Sequence, residues 1–242
     1  MTTKPSKTTT AGFRLPDPPR RELDEVTAFD YLYGPGMTEY LAIHFGNRET
    51  TLVKADRWII AAPEDNRAEA RRPDLLIAFG VSPEKYEENN GYISSEQGKP
   101  PDFVLEVASE STAVTDTGAK RDNYAALGIP EYWRFDHTGE YHQTRLAGDR
   151  LVDGRYEPIF TEAGGEGIEQ GYSPALNLYI RWDQGQLVFI DPDTNAPILT
   201  YEDQQARADR EAVRATNEAA LRQQAEERVR QLEEENRTLR GE

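Results

Sequence analysis

The chain has 242 residues, with 28 Lys+Arg against 44 Asp+Glu, no cysteine, and a formal net charge of −16. That balance excludes a generic polyanion coater, because sequence-independent nucleic-acid binding comes from Lys and Arg neutralising phosphates. The absent thiols exclude disulfides, cysteine zinc sites and thiol nucleophiles.

Residues 1–24 are rich in Thr, Pro and basic side chains and lack apolar periodicity, so they read as a flexible arm. Lys4 and Lys7 precede no apolar run, so the segment does not read as a secretory signal. No stretch approaches the roughly 18 apolar residues of a membrane span. A soluble, cytoplasmic protein is expected.

Residues 25–200 form the expected core domain. GMTEYLAIHFGNRE, from Gly36, predicts a helix with an apolar side. TLVKADRWIIAAPED predicts one or two strands. RPDLLIAFG, from Arg72, is a continuous apolar run of strand length, the pattern of a strand covered on both faces. Ser82 to Lys99 reads as a polar loop, and DFVLEVAS, from Asp102, as a second buried strand. STAVTDTGAKRDNYAALGIPEYW predicts one helix, capped near Ser111 or Thr115 and stopped at Gly128 with Pro130 beyond. EYWRFD is a further strand. Asp153-Gly154 and Gln184-Gly185 then mark two hairpin turns. Helix, strands, helix, strand and meander together predict an α+β, mixed α/β core.

Residues 201–242 differ in kind. Ala, Glu, Gln and Arg dominate, with 8 Arg against 11 acidic residues, which predicts a long charged helix. Val229, Leu232, Asn236 and Leu239 have the spacing of a short coiled-coil seam. A homodimer, or a protein partner bound through this helix, is therefore expected.

Buried carboxylates are the informative anomaly, since an ionised acid inside an apolar strand is costly unless it is paired or metal-bound. Asp74 opens the run DLLIAF. Glu106 stands where a hydrophobe is the default, on the strand face shared by Asp102, Val104 and Ala108. Two carboxylates on neighbouring strands make a hard-oxygen site suited to Mg²⁺ or Mn²⁺. The plainer alternative is an ion pair of Glu106 with Arg134 or Lys120, with Asp74 capping its strand. Asp116, Lys120 and Tyr124 are spaced by four and share a helix face, and a Lys near a metal-bound water can polarise it. His44, His137 and His142 show no zinc-ligand spacing, and Ser109 and Ser111 have no His that would complete a triad.

RPDLLIAFG, PPDFVLEVASEST, TDTGAKRDNYAALGIPEYW and GYSPALNL, taken together, resemble the Uma-two family of restriction-endonuclease-like proteins, a branch of the PD-(D/E)XK nuclease superfamily. The resemblance spans about Met37 to Thr200 and rests on the order PD, E-V-x-S, D-x-x-x-K and Y-x-x-x-G-I-P-E-Y-W. It implies a central mixed β-sheet flanked by helices. It also implies a Mg²⁺- or Mn²⁺-dependent endonuclease that hydrolyses DNA phosphodiester bonds with metal-activated water. Asp74, Glu106 and Lys120 would be the catalytic residues. The ion would be held by Asp74, Glu106 and the Val107 carbonyl, with Glu39 as a further acid from the first helix. The superfamily lysine usually stands two residues after the acid, where this chain has Ala108, so the resemblance implies its migration to Lys120. Arg67, Arg71, Arg72 and Arg121 are the candidate contacts to the nucleic-acid backbone. Two other readings stay open: a catalytically silent scaffold of the same fold that binds partners through its C-terminal helix, and a metal-dependent hydrolase of a small phosphoester.

Overall fold

The computed structural model describes residues 13–19, 36–64, 67–109, 112–165 and 167–198, with 216, 222 and 223. The expected C-terminal helix and coiled-coil seam, and most of the expected arm, lie outside the described residues. The chain divides into two units, Met1–Ile198 and Leu199–Glu242, and the architecture that follows is that of the first. None of the described helices is long and apolar enough to cross a membrane.

Helix α1 (Met37–Phe45) leads into β1 (Thr51–Ala55) and β2 (Ile59–Ile60), so TLVKADRWII forms two strands, broken where Asp56 takes φ 52°. After a 3₁₀ turn at Arg67–Glu69 come β3 (Leu75–Phe79), α2 (Pro83–Asn89), β4 (Tyr92–Ile93) and α3 (Ser94–Gln97). β5 (Phe103–Val107), α4 (Ala113–Thr117), α5 (Ala119–Ala126) and β6 (Glu131–Phe135) follow, and then a meander: β7 (Leu146–Val152), β8 (Arg155–Ile159), β9 (Thr161–Gly165), β10 (Ile168–Ser173), β11 (Leu178–Asp183) and β12 (Gln186–Ile190).

The central sheet has six strands in the order β1-β3-β5-β6-β7-β8. β5 and β6 pair in parallel while their neighbours pair antiparallel. The sheet is therefore mixed, as expected. A parallel pair needs a long crossover, and α4 with α5 supplies it. A four-stranded antiparallel sheet, β12-β11-β10-β9, and a short parallel pair, β2-β4, complete the unit.

Strand alternation sorts the core into two clusters. Leu75, Ile77, Phe103, Leu105, Trp133 and Phe135 join α1 residues Met37, Tyr40 and Leu41 and the second sheet's Leu178, Ile180 and Phe189 on one side. Leu76, Ala78, Val104 and Tyr132 meet Tyr86 of α2 and Tyr124 of α5 on the other. The helices thus cover both faces. The hairpin at Asp153-Gly154 has φ 47° and 79°, the pair of positive values that a type I′ turn requires and glycine readily adopts.

Three local expectations are corrected. The segment from Ser82 to Lys99 is not a loop. Ser82 caps α2 through a 3.3 Å bond from the Lys85 N–H to its Oγ, Pro83 starts the helix, and Tyr86 anchors it at 3% exposure. The expected single helix after β5 is two, parted at Gly118. Residues 13–19 are docked rather than loose: Leu15 is 2% exposed, packs with Ile60 and Ile93, and donates its N–H to the Asn89 carbonyl. Ser82→Ala is expected to cost about 1 kcal/mol through the lost cap. An unchanged urea midpoint would show that the cap is not used.

Candidate active site

β3 and β5 run antiparallel with Leu75 opposite Leu105 and Leu76 opposite Val104. One step further along that register, Asp74 faces Glu106 on the side of the sheet that carries Leu76 and Val104. Both residues are buried, at 8% and 1% exposure. Asp74 Oδ2 accepts the Val107 N–H at 2.7 Å, which ties the end of one strand to the other.

Glu106 is held by two residues of α5. Its Oε1 accepts from Tyr124 Oη at 2.5 Å and its Oε2 from Lys120 Nζ at 2.9 Å. Lys120 also reaches Asp116 Oδ1 at 2.7 Å. The spacing of four between Asp116, Lys120 and Tyr124 thus survives the break at Gly118.

Burial first, and the Asp74 charge second, push the Glu106 carboxyl up to about 8 from its ordinary 4.5, against the opposing pull of Lys120. Burial works against the Lys120 ammonium, but the Glu106 and Asp116 carboxylates outweigh it and raise its pKa. Lys120 stays charged. Asp116 is also opposed by burial, yet hydrogen bonds from His142 and Lys120 and the lysine's charge hold its pKa below the ordinary value.

The structure brings Asp74, Glu106 and Lys120 together and leaves Glu39 elsewhere. α1 packs on the opposite face of the sheet, and Glu39, 58% exposed, pairs with Arg48 at 2.5 Å. Among the described residues no group of three or more His, Asp or Glu side chains is arranged to hold a metal. An ion here would rest on the two facing carboxylates and a backbone carbonyl. That donor set fits a hard divalent cation: both groups present oxygen, and their mutual repulsion, visible in the raised Glu106, is what a cation relieves.

The candidate phosphate contacts are largely committed inside the protein. Arg121 forms a two-pronged pair with Asp149 at 3.2 and 3.0 Å and donates to the Tyr156 carbonyl. Arg72 pairs with Asp56 at 2.8 Å and lies over the Trp58 ring. Arg71 donates to the Ala68 and Ala70 carbonyls. Arg67 opens the 3₁₀ turn, and its side chain lies outside the described residues. Arg134, the other candidate partner of Glu106, pairs with Asp149 instead.

Residues 37–181 match the family described as "Uma2: Putative restriction endonuclease", more than half of the chain. The chain belongs to the Uma2 family. The sequence resemblance therefore holds, and Uma2 membership supports a nuclease function. Among solved structures the chain is similar to one described as "a putative nuclease belonging to DUF820" from Anabaena variabilis, at 14% identity and a TM-score of 0.40, covering 62% of this chain and 72% of that one. No curated protein matches. One member of the site had no local signal in the Uma2 stretches: His142, 26 residues from Asp116 in sequence, bonds to its carboxylate.

Proposed function

We propose that the chain is a Mg²⁺-dependent endonuclease that hydrolyses DNA phosphodiester bonds, with Mn²⁺ able to replace Mg²⁺. Asp74, Glu106 and the Val107 carbonyl would hold the ion, which supplies positive charge for a phosphate oxygen and acidifies the attacking water. The observation that carries this reading is the buried Asp74–Glu106 pair, facing across two strands, with the Lys120 ammonium at 2.9 Å from Glu106.

The chain's own residues divide the remaining work. Lys120, kept positive by Glu106 and Asp116, offers N–H donors to the attacking water and to a phosphate oxygen. The Tyr124 hydroxyl fixes the Glu106 carboxylate so that its orientation is set before substrate arrives. Glu106 gives up the proton its surroundings favour, which makes function depend on pH.

A silent scaffold is the second reading. It draws on the net charge of −16 and on the internal partners of Arg71, Arg72 and Arg121. Cleavage of supercoiled plasmid and of single-stranded, double-stranded and branched oligonucleotides, with Mg²⁺, Mn²⁺ or chelator, separates the two. Wild type is expected to cleave with either ion and not with chelator. Lys120→Met is expected to lose about 10²-fold in rate. A wild type that cleaves none of these substrates, or a Lys120→Met variant as fast as wild type, would overturn the nuclease reading.

A further inference from the structure

Lys120 is not held by Glu106 alone, and its second partner is the better anchored of the two. Asp116 is 0% exposed, and while its Oδ1 takes the ammonium, its Oδ2 accepts from Thr112 Oγ1 at 2.9 Å and bonds His142 Nε2 at 3.1 Å. A carboxylate only accepts, so Nε2 carries the hydrogen of that bond. The backbone of Asp116 is fixed as well, through Tyr132 Oη donating to its carbonyl at 2.9 Å.

His142 reaches α4 because of Asp136, the fully buried residue that follows β6. Asp136 Oδ1 accepts the N–H groups of Thr138 and Gly139, and its Oδ2 accepts those of Tyr141 and His142 at 2.7 and 2.8 Å. The β6–β7 connection is thereby folded back on itself, and the imidazole, its side chain 1% exposed, lands on the Asp116 carboxylate. His142 Nδ1 is buried and makes no hydrogen bond among the described residues. The ring therefore acts through one atom.

An ion held by Glu106 would compete with Lys120 for the charge of its carboxylate. When the Glu106–Lys120 bond loosens, a lysine without another anchor would swing among its rotamers and lose its aim. We infer that Asp116 and His142 are a positioning pair for Lys120: Asp116 tethers the ammonium, and His142 locks Asp116 in the orientation that does so. This rests on the role given to Lys120 above. Neither residue is a catalytic residue, since both act through the lysine.

The test uses the full chain with three variants. His142→Phe keeps the ring volume and loses the donor. His142→Gln loses the ring and keeps an N–H donor at a similar reach. Asp116→Asn keeps the shape and loses the charge. The first readout is the Lys120 side-chain signal in ¹H–¹⁵N spectra of ¹⁵N-lysine protein, assigned with Lys120→Arg. A tethered ammonium gives a distinct, slowly exchanging signal.

That signal is expected in wild type and His142→Gln and absent in His142→Phe and Asp116→Asn. The second readout is Mg²⁺-dependent cleavage. His142→Phe is expected to lose about 10-fold to 100-fold in kcat, with the KM for DNA unchanged, and His142→Gln to recover most of it. A slowly exchanging Lys120 signal in His142→Phe, or its loss in a His142→Gln protein that melts like wild type, would overturn the pair. Should His142→Phe not fold, Asp116→Asn tests the tether from the other side, and a slowly exchanging Lys120 signal there would overturn it equally. The expected spectra in a wild type that cleaves no DNA would support the tether and sink the nuclease reading instead.

Discussion

Glu106→Gln is expected to abolish cleavage, by about 10³-fold, while making the metal-free protein increasingly more stable than wild type as pH rises. The two effects share one cause. In the folded wild type, burial and then the Asp74 charge lift the carboxyl to about 8 from 4.5. Below the lower value both folded and unfolded chains hold the proton, and Glu106 exacts no penalty. Between the two values the unfolded chain ionises freely while the folded one resists, so wild-type stability falls across that window. Gln ionises in neither state and lacks the slope. The melting-temperature difference, variant minus wild type, should therefore grow from about pH 4.5 to about pH 8 and then level off. A difference that is flat with pH would show that Glu106 is not raised in the folded protein. Divalent binding should run the opposite way to wild-type stability: an ion held by Glu106 would displace its proton, so affinity measured by calorimetry should rise with pH until about 8, with about one proton released per ion below it.

What makes this site readable in the sequence is that its acids break a strong pattern. LLIAF and FVLEV are buried along almost their whole length, so a carboxylate inside or beside them needs a partner. Alternation along the strands assigns Glu106 to one face, and the spacing of four places Asp116, Lys120 and Tyr124 together. Glu39 is beyond reach because its helix shows an apolar side without revealing which face of the sheet it covers. The arginines mislead for a related reason. Their partners Asp149 and Asp56 come from β7 and from the β1–β2 turn, and no local pattern announces such pairings. His142 depends on a turn that Asp136 organises, which becomes visible only once β6 has been placed. The α2 helix carries its signal in Ser82-Pro83, but its one buried aromatic, Tyr86, is too little apolar periodicity to outweigh the surrounding charges.

A small part of the chain's acidic excess has a place in the fold. Asp74, Glu106 and Asp116 are sequestered in the site, while Asp149 pairs with Arg121 and Arg134 and Asp56 with Arg72. In the nuclease reading a bound ion would therefore carry part of the positive charge offered to a phosphate, since Arg71, Arg72 and Arg121 are committed inside the protein. Binding is expected to be weaker in chelator than with Mg²⁺, and Arg71, Arg72 and Arg121 are expected to add little to its dependence on monovalent salt.

The largest loss of stability is expected from Trp133→Ala, at about 3–5 kcal/mol. Trp133 is fully buried in β6 and stands opposite Gly148 of β7. A Cβ built on Gly148 would lie 2.7 Å from the indole, and one on Gly171 of β10 would lie 2.8 Å from it. The ring thus fills the space that both glycines leave. Its Nε1 donates to Glu131 Oε2 at 3.0 Å, and Glu131 also accepts from Ser173 Oγ and the Ala175 N–H beside the second sheet. Truncation opens a cavity whose glycine walls have no side chains to fill it, and it takes a donor from a buried carboxylate. Trp133→Phe should cost less, since most of the ring volume remains. Urea unfolding beside Phe160→Ala, at a residue 79% exposed, supplies the baseline, and a Trp133→Ala shift no larger than that control would refute the packing of Trp133 against Gly148 and Gly171. Trp133 and Glu106 occupy opposite faces of the central sheet. Cleavage per folded molecule should therefore survive the Trp133 change, whereas Glu106→Gln is expected to spare the fold and lose the cleavage.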